Sequence, residues 1–193
     1  MKGNKPNPHA AALGKLGGHA RLEKLTPEQT KAELLDTVEK NARAAQIMDD
    51  LCARSTLEGL KSCFDFIPQD MVSASMSLAG GAGASSGSCG AFCSGLLAIG
   101  LKFNPTTAAD RADRRLRLKG KKKFIAFRDA FLKEFGTTLC PELHKRLFGR
   151  SFVFTDEAQG AEFFAIADHA EKCAEIVGKA ARMAAEILLA DGD

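Results

Sequence analysis

The chain has 193 residues, the length of one compact domain with a tail. Its composition, 45% apolar and 26% charged, is enough for a buried core and excludes disorder over the whole length. With 13 Phe but no Tyr and no Trp, packing must rest on Phe and aliphatic side chains. Tyrosine general-acid chemistry is excluded, and six cysteines stand out as the feature to explain.

In chain order, residues 1–25 are rich in Gly, Lys, Ala, Pro and Asn and read as a flexible basic tail, leaving 26–193 as a single helical domain. No signal-peptide h-region or twin-arginine pair appears there. Thr26-Pro-Glu-Gln29 reads as a capping box with Pro27 at the first helical position. Leu34, Leu35, Val38, Ala42 and Ala45 follow with a 3.6-residue repeat, which predicts one long helix running toward Phe64. A short helix is predicted over Asp70 to Ala79. The Gly-rich stretch Ala79 to Gly95 then leads into a helix over Cys89 to Lys102. Without a preceding strand or a P-loop lysine, that loop does not read as a nucleotide site.

Lys121 to Phe135 repeats Phe124, Phe127, Phe131 and Phe135 at spacings of three and four, a core stripe that Gly136 ends. A short helix over Pro141 to Phe148, an extended piece over Arg150 to Thr155 and a long helix over Ala161 to Leu189 complete the series. The predicted fold class is all-α, a compact bundle of about five to seven helices. The most apolar run, Ala91 to Leu101, falls short of the roughly 20 residues a membrane span needs, so the expectation is a soluble, cytoplasmic protein.

Charge is segregated along the chain. Residues 110–150 carry 13 basic and 5 acidic side chains, and residues 151–193 carry 3 basic and 9 acidic. Arg111, Arg114, Arg115, Arg117, Lys119, Lys121, Lys122 and Lys123 form a basic patch over 111–123. It reads as a solvated helix face or as a surface for an anionic partner.

The cysteines are Cys52, Cys63, Cys89, Cys93, Cys140 and Cys173. None forms C-x-x-C and none is followed as C-x-x-C-H, which argues against thioredoxin-type chemistry and covalent haem. Cys52 and Cys63 share a face if their helix is unbroken, and Cys89 and Cys93 stand at i, i+4. Cys140 with His144 and His169 with Cys173 repeat that spacing, so two helices facing each other offer a Cys2His2 zinc set. Cys89, at the start of a helix, is expected to be the most acidic and reactive thiol. Packing by small residues is the competing explanation for it.

The stretch Ser88-Cys-Gly-Ala-Phe-Cys-Ser-Gly95 reads as a Cys-Gly-Ala-x-x-Gly signature and runs into Leu96-Leu-Ala-Ile-Gly-Leu-Lys-Phe103. Together with Cys52, Cys140 in Thr138-Leu-Cys-Pro-Glu-Leu143, and Cys173, it resembles the redox-active C_GCAxxG_C_C family over about residues 45–190. That family is related to the iron–sulfur domain of split-Soret cytochromes. The resemblance implies that Cys52, Cys89, Cys140 and Cys173 are thiolate ligands of an iron–sulfur cluster or another metal, working in electron transfer. It implies an accessory redox protein with a redox partner more than a stand-alone enzyme. Cys63, Cys93, His144 and His169 have no counterpart in it. Residues Leu13 to Gln29 also resemble a short element of small bacterial basic proteins.

Three readings follow: a cluster-bearing redox module, a cofactor-free thiol–disulfide protein with Cys89 as the attacking thiol, and a zinc-stabilised helical protein binding through its basic surface. No Ser/His/Asp set and no paired-carboxylate motif appears by spacing. A homo-oligomer is compatible with all three.

Overall fold

A computed structural model describes residues 27–190. The expected tail over 1–25, most of the Leu13–Gln29 element and the Thr26 hydroxyl cap lie outside the described residues. Among those residues the fold is all-α: α1 (Pro27–Asp49), α2 (Cys52–Lys61), α3 (Gln69–Ala74), α4 (Gly90–Phe103), α5 (Thr107–Ala112), α6 (Arg117–Phe135), α7 (Cys140–Phe148), α8 (Glu157–Phe164) and α9 (His169–Leu189). A 3-10 turn, Ser75–Leu78, follows α3, and another, Arg114–Leu116, precedes α6.

Two helices predicted as continuous are each divided. The first breaks at Asp50, whose backbone turns left-handed at φ 50°, so that α2 starts anew at Cys52. Asp50 keeps its N–H on the Gln46 carbonyl (2.8 Å), while its carboxylate accepts from Gln46 Nε2 (2.6 Å). Local polar bonds thus outweigh the helical repeat there. The long C-terminal helix stops after Phe164 and resumes at His169. The extended piece over 150–155 forms no strand. The only strand-like pairing among the described residues is an isolated antiparallel bridge between Ser88 and Leu139.

Helices α1, α2, α4 and α9 pack together, with α6 laid against α4 and α9. Their shared core holds Leu34 and Val38 of α1, Leu57 and Leu60 of α2, Ile99 of α4 and Leu188 of α9. Close approach is set by small residues. Ala180, Ala181, Ala184 and Ala185 of α9 are fully buried, and Gly59 of α2 lies directly against Ala42 of α1, with no space for a side chain. Phe127 and Phe131 of the predicted stripe are fully buried, each contributing about 1.5–3 kcal/mol. Phe124 lies at the exposed end of the stripe.

Around α1 and α9 the ion pairs are superficial, Arg182 reaching Asp36 (2.6 Å) and Glu39 (3.2 Å), and Arg43 reaching Glu175. Such pairs are worth about 0–1 kcal/mol each. The basic block meets the acidic one in part: α6 lies against α9, and Arg150 pairs with Glu162 (2.8 Å). Residues 106–119 stand away from the core without a single buried side chain. Among the described residues no helix is long and apolar enough to cross a membrane.

Candidate redox site

Four of the six cysteines lie at or near the beginnings of four different helices. Cys52 is the first residue of α2, Cys89 is the N-cap of α4, Cys140 is the first residue of α7, and Cys173 lies just beyond the first turn of α9. Cys52, Cys140 and Cys173 line one chamber of about 400 Å³, and Cys89 reaches it through Cys52. Helix N-termini carry partial positive charge and unpaired N–H groups, so their convergence favours negative charge on the sulfurs.

The Gly-rich loop closes one side of the chamber. Gly80 and Gly81 are left-handed (φ 66° and 84°), and the loop folds back so that Gly87 N–H donates to the Gly81 carbonyl (2.8 Å). Cys140 N–H then donates to Gly87 O (2.9 Å), and Cys89 N–H donates to Thr138 O (2.7 Å). These two bonds, on either side of the Ser88–Leu139 bridge, strap the start of α4 to the start of α7. A side chain at Gly90 would stand 2.7 Å from Cys52 Sγ and 2.8 Å from the Leu78 carbonyl. Gly90 is therefore what lets the Cys52 sulfur rest on the first turn of α4.

Electrostatics single out Cys52. Its thiol is pulled down to about 7, first by a hydrogen bond from Cys89 and further by the N–H groups of Gly80, Gly90 and Ala53, against the opposing effect of burial. Cys89 is pushed well above the usual thiol range because it donates to Cys52, is buried, and faces the charge on Cys52 and Cys140. Cys52 and Cys89 titrate as a pair, and the first proton leaves it below the ordinary thiol range. The acidity expected of Cys89 is therefore shared with Cys52, which Cys89, Gly80, Gly90 and Ala53 hold by hydrogen bonds.

Burial and the Cys52 charge raise Cys140 to about 12. Burial, Cys52, Asp50 and Cys140 together raise Cys173 well above its ordinary value. Cys93 is also raised, by burial first and then by Cys52, and its thiol points to the Ser88 carbonyl (3.8 Å). Cys63 lies beyond the other end of α2, buried in the main core and raised by that burial. The break at Asp50 and the length of α2 thus separate the roles of Cys52 and Cys63. All six thiols are free.

The opposite wall is aromatic. His144 packs among Phe148, Phe152, Phe154 and Phe163, stacked on the last with ring centroids 5.0 Å apart. Burial lowers its pKa to about 4, so the ring is neutral, and Nε2 lies 3.7 Å from Cys140 Sγ. His169 spends its nitrogens elsewhere, Nδ1 on the Ile166 carbonyl (2.6 Å) and Nε2 on Asp50 Oδ2 (3.1 Å). His169 therefore does not present a nitrogen to Cys173 as a Cys2His2 site requires. Among the described residues no three or more Cys, His, Asp or Glu side chains converge on a point that holds a single metal ion.

Residues missed by sequence reasoning are Asp50, Gln46 and the Phe154–Phe163–Phe164 wall, all of which border the chamber. The signature itself also needs a correction. Phe92, Cys93 and Ser94 separate Ala91 from Gly95, one residue more than the Cys-Gly-Ala-x-x-Gly spacing. Buried Ser94 stands at the glycine's place, and Gly95 makes direct room for the Phe127 ring.

Cys52, Cys140 and Cys173 thus share one chamber, with Cys89 hydrogen-bonded to Cys52. Residues 51–187 match the family described as "Putative redox-active protein (C_GCAxxG_C_C)", and the chain belongs to that family of redox-active proteins. No curated protein and no solved structure matches the chain.

Proposed function

We propose that the protein is an electron-carrying redox module in which Cys52, Cys89, Cys140 and Cys173 hold a metal–sulfur centre of the iron–sulfur type. The observation that carries this reading is the gathering of Cys52, Cys140 and Cys173 on one chamber, with Cys89 hydrogen-bonded to Cys52 at its edge. The donor set suits such a centre. Cys89, Cys140 and Cys173 are kept protonated by burial and by the charge on Cys52, and a cationic metal would offset that charge and release their protons. Three thiols on a chamber and a fourth hydrogen-bonded to one of them supply the four sulfurs an iron–sulfur centre takes. When bound, the centre supplies one-electron transfer.

The protein's own groups have defined tasks in this reading. The N–H groups of Gly80, Gly90 and Ala53 hold the negative charge at Cys52 Sγ. The straps through Gly87 and Thr138 fix Cys140 and Cys89 relative to each other. Phe154, Phe163 and neutral His144 keep the chamber apolar, which restricts water at the thiols. Protein prepared without oxygen should be brown, contain iron and acid-labile sulfide, and bleach on reduction. Colourless protein lacking iron and sulfide after anaerobic reconstitution overturns the reading.

The hydrogen-bonded Cys52–Cys89 pair favours a second reading, dithiol–disulfide exchange. Here the Cys52 thiolate attacks the disulfide of a partner and expels one partner thiolate. Cys89, losing its proton, then displaces the second thiol and closes a Cys52–Cys89 bond. The partner is reduced by two electrons and the pair is oxidised by two. Thiol counting before and after incubation with a small disulfide should show two thiols lost per chain. All six thiols remaining would exclude this route.

A further inference from the structure

Residues 106–122 form a second functional surface, independent of the thiol chamber. They contain seven basic and two acidic residues. From residue 106 to 119 no side chain is buried, and the first buried residue of α6 is Gly120, which rests against Asn104. The arm holds its shape by its own bonds. Thr106 Oγ1 accepts from Ala109 N–H (3.2 Å), Asp113 Oδ1 accepts from Arg115 N–H (3.0 Å), and Arg117 Nε donates to Asp110 (2.7 Å). An ordered segment that buries nothing of its own chain presents its side chains outward.

Two of those side chains are aliphatic. Leu116 is 48% and Leu118 53% exposed, at the corner where the 3-10 turn becomes α6. They are flanked by Arg114, Arg115, Arg117 and Lys119, with Lys121 and Lys122 exposed just beyond. Basic side chains alone suit any polyanion, but exposed leucines set among them lose contact with water only against an apolar partner. A nucleic-acid surface adds planar rings for stacking, and residues 106–122 contain no aromatic side chain to stack on them. A bilayer with anionic headgroups offers both halves, charge for the arginines and lysines and acyl boundary for the leucines.

We infer that the 106–122 arm is a peripheral attachment surface for anionic lipid membranes. It lies beyond the C-terminal end of α4, whose 14 residues place it about 21 Å from the thiols at the other end. Attachment there leaves the redox chamber uncovered.

The test uses the full chain with vesicles of phosphatidylcholine alone and vesicles in which phosphatidylglycerol replaces a third of it. The wild-type chain should co-sediment with the anionic vesicles only, and salt should release it. Arg114→Glu with Lys122→Glu should lower partitioning roughly tenfold or more, since each basic residue near an anionic leaflet contributes about a fivefold factor. Leu116→Ser with Leu118→Ser should weaken vesicle binding several-fold while leaving heparin retention unchanged. Circular dichroism checks that both variants keep the helical fold. The inference is overturned if the wild-type chain ignores anionic vesicles at low salt, or if a short duplex DNA binds while vesicles do not. It is equally overturned if the leucine variant binds vesicles as the wild type does.

Discussion

The two ends of α4 face opposite environments. At its N-terminus, Cys89 and Gly90 meet Cys52 in a charge-poor, enclosed space where one thiol is held near neutrality by three N–H groups and a neighbouring thiol. At its C-terminus, Phe103 lies beneath Lys102, Lys119 and Lys123, their ammonium groups 5.2–5.9 Å from its ring, and the chain leaves the core as a charged arm. Burial makes each group at the first end dependent on its neighbours, so small changes have large consequences. At the second end solvent screens the charges, and changes should affect partners more than the fold.

The strongest way to break this comparison is to remove the sulfur at its centre. Cys52→Ala should abolish the thiol that ionises near 7, and the rate of alkylation at neutral pH should fall about tenfold or more. The complementary change, Cys89→Ala, removes the thiol that donates to Cys52, so the midpoint of the alkylation profile should move upward from about 7. Fast alkylation with an unchanged midpoint in Cys52→Ala would transfer the acidic role to another cysteine.

Next in size is the packing at Gly90. An alanine there puts a methyl group 2.7 Å from Cys52 Sγ and 2.9 Å from Ala53 Cβ, and neither the Leu78 carbonyl nor α2 has free space. Thermal or urea unfolding should show a loss of about 1–3 kcal/mol, and the Cys52 midpoint should rise as its contact with α4 opens. Wild-type stability together with an unmoved midpoint would mean that α2 and α4 do not grip the sulfur.

pH reports the same contrast more gently. His144 has its pKa lowered to about 4, so the unfolded chain takes up a proton near 6.5 that the folded chain refuses. Stability should therefore decline as pH falls from about 6.5 toward 4, and His144→Phe should flatten that slope. Cys140 works on the alkaline side. Its raised value means that its contribution is fully present below the usual thiol range near 9 and is lost as pH climbs from there toward 12. Unfolding midpoints across both ranges check both signs.

Much of this architecture is written in short-range pattern. The helical repeats, the Phe127 and Phe131 core positions and the left-handed Gly136 at the end of α6 all follow from local spacing. Three of the four cysteines in the family order, Cys52, Cys140 and Cys173, line the chamber. What spacing does not encode is where a helix yields to side-chain bonding. Asp50 turns left-handed with its carboxylate held by Gln46 Nε2, and the break decides that Cys52 begins a helix of its own. Nor does spacing encode which thiol is acidic, because the donors to Cys52 come from Gly80, Gly90 and Cys89, distant in sequence and joined only by the fold. The aromatic wall was hidden for the same reason: Phe154, Phe163 and Phe164 follow no single helical stripe.

The smallest expected effect belongs to the arm, and its smallness is the point. Arg115 and Arg117 are paired with Asp113 and Asp110 on open surface, and no side chain from 106 to 119 is buried. Replacing Asp110 and Asp113 by Asn frees two arginines without opening a cavity or burying a charge. Unfolding should barely shift, and the Cys52 midpoint should stay near 7. A large loss of stability would show that the arm is part of the cooperative core. A moved thiol midpoint would show that charge travels the length of α4, and the two ends would then have to be treated as one electrostatic unit.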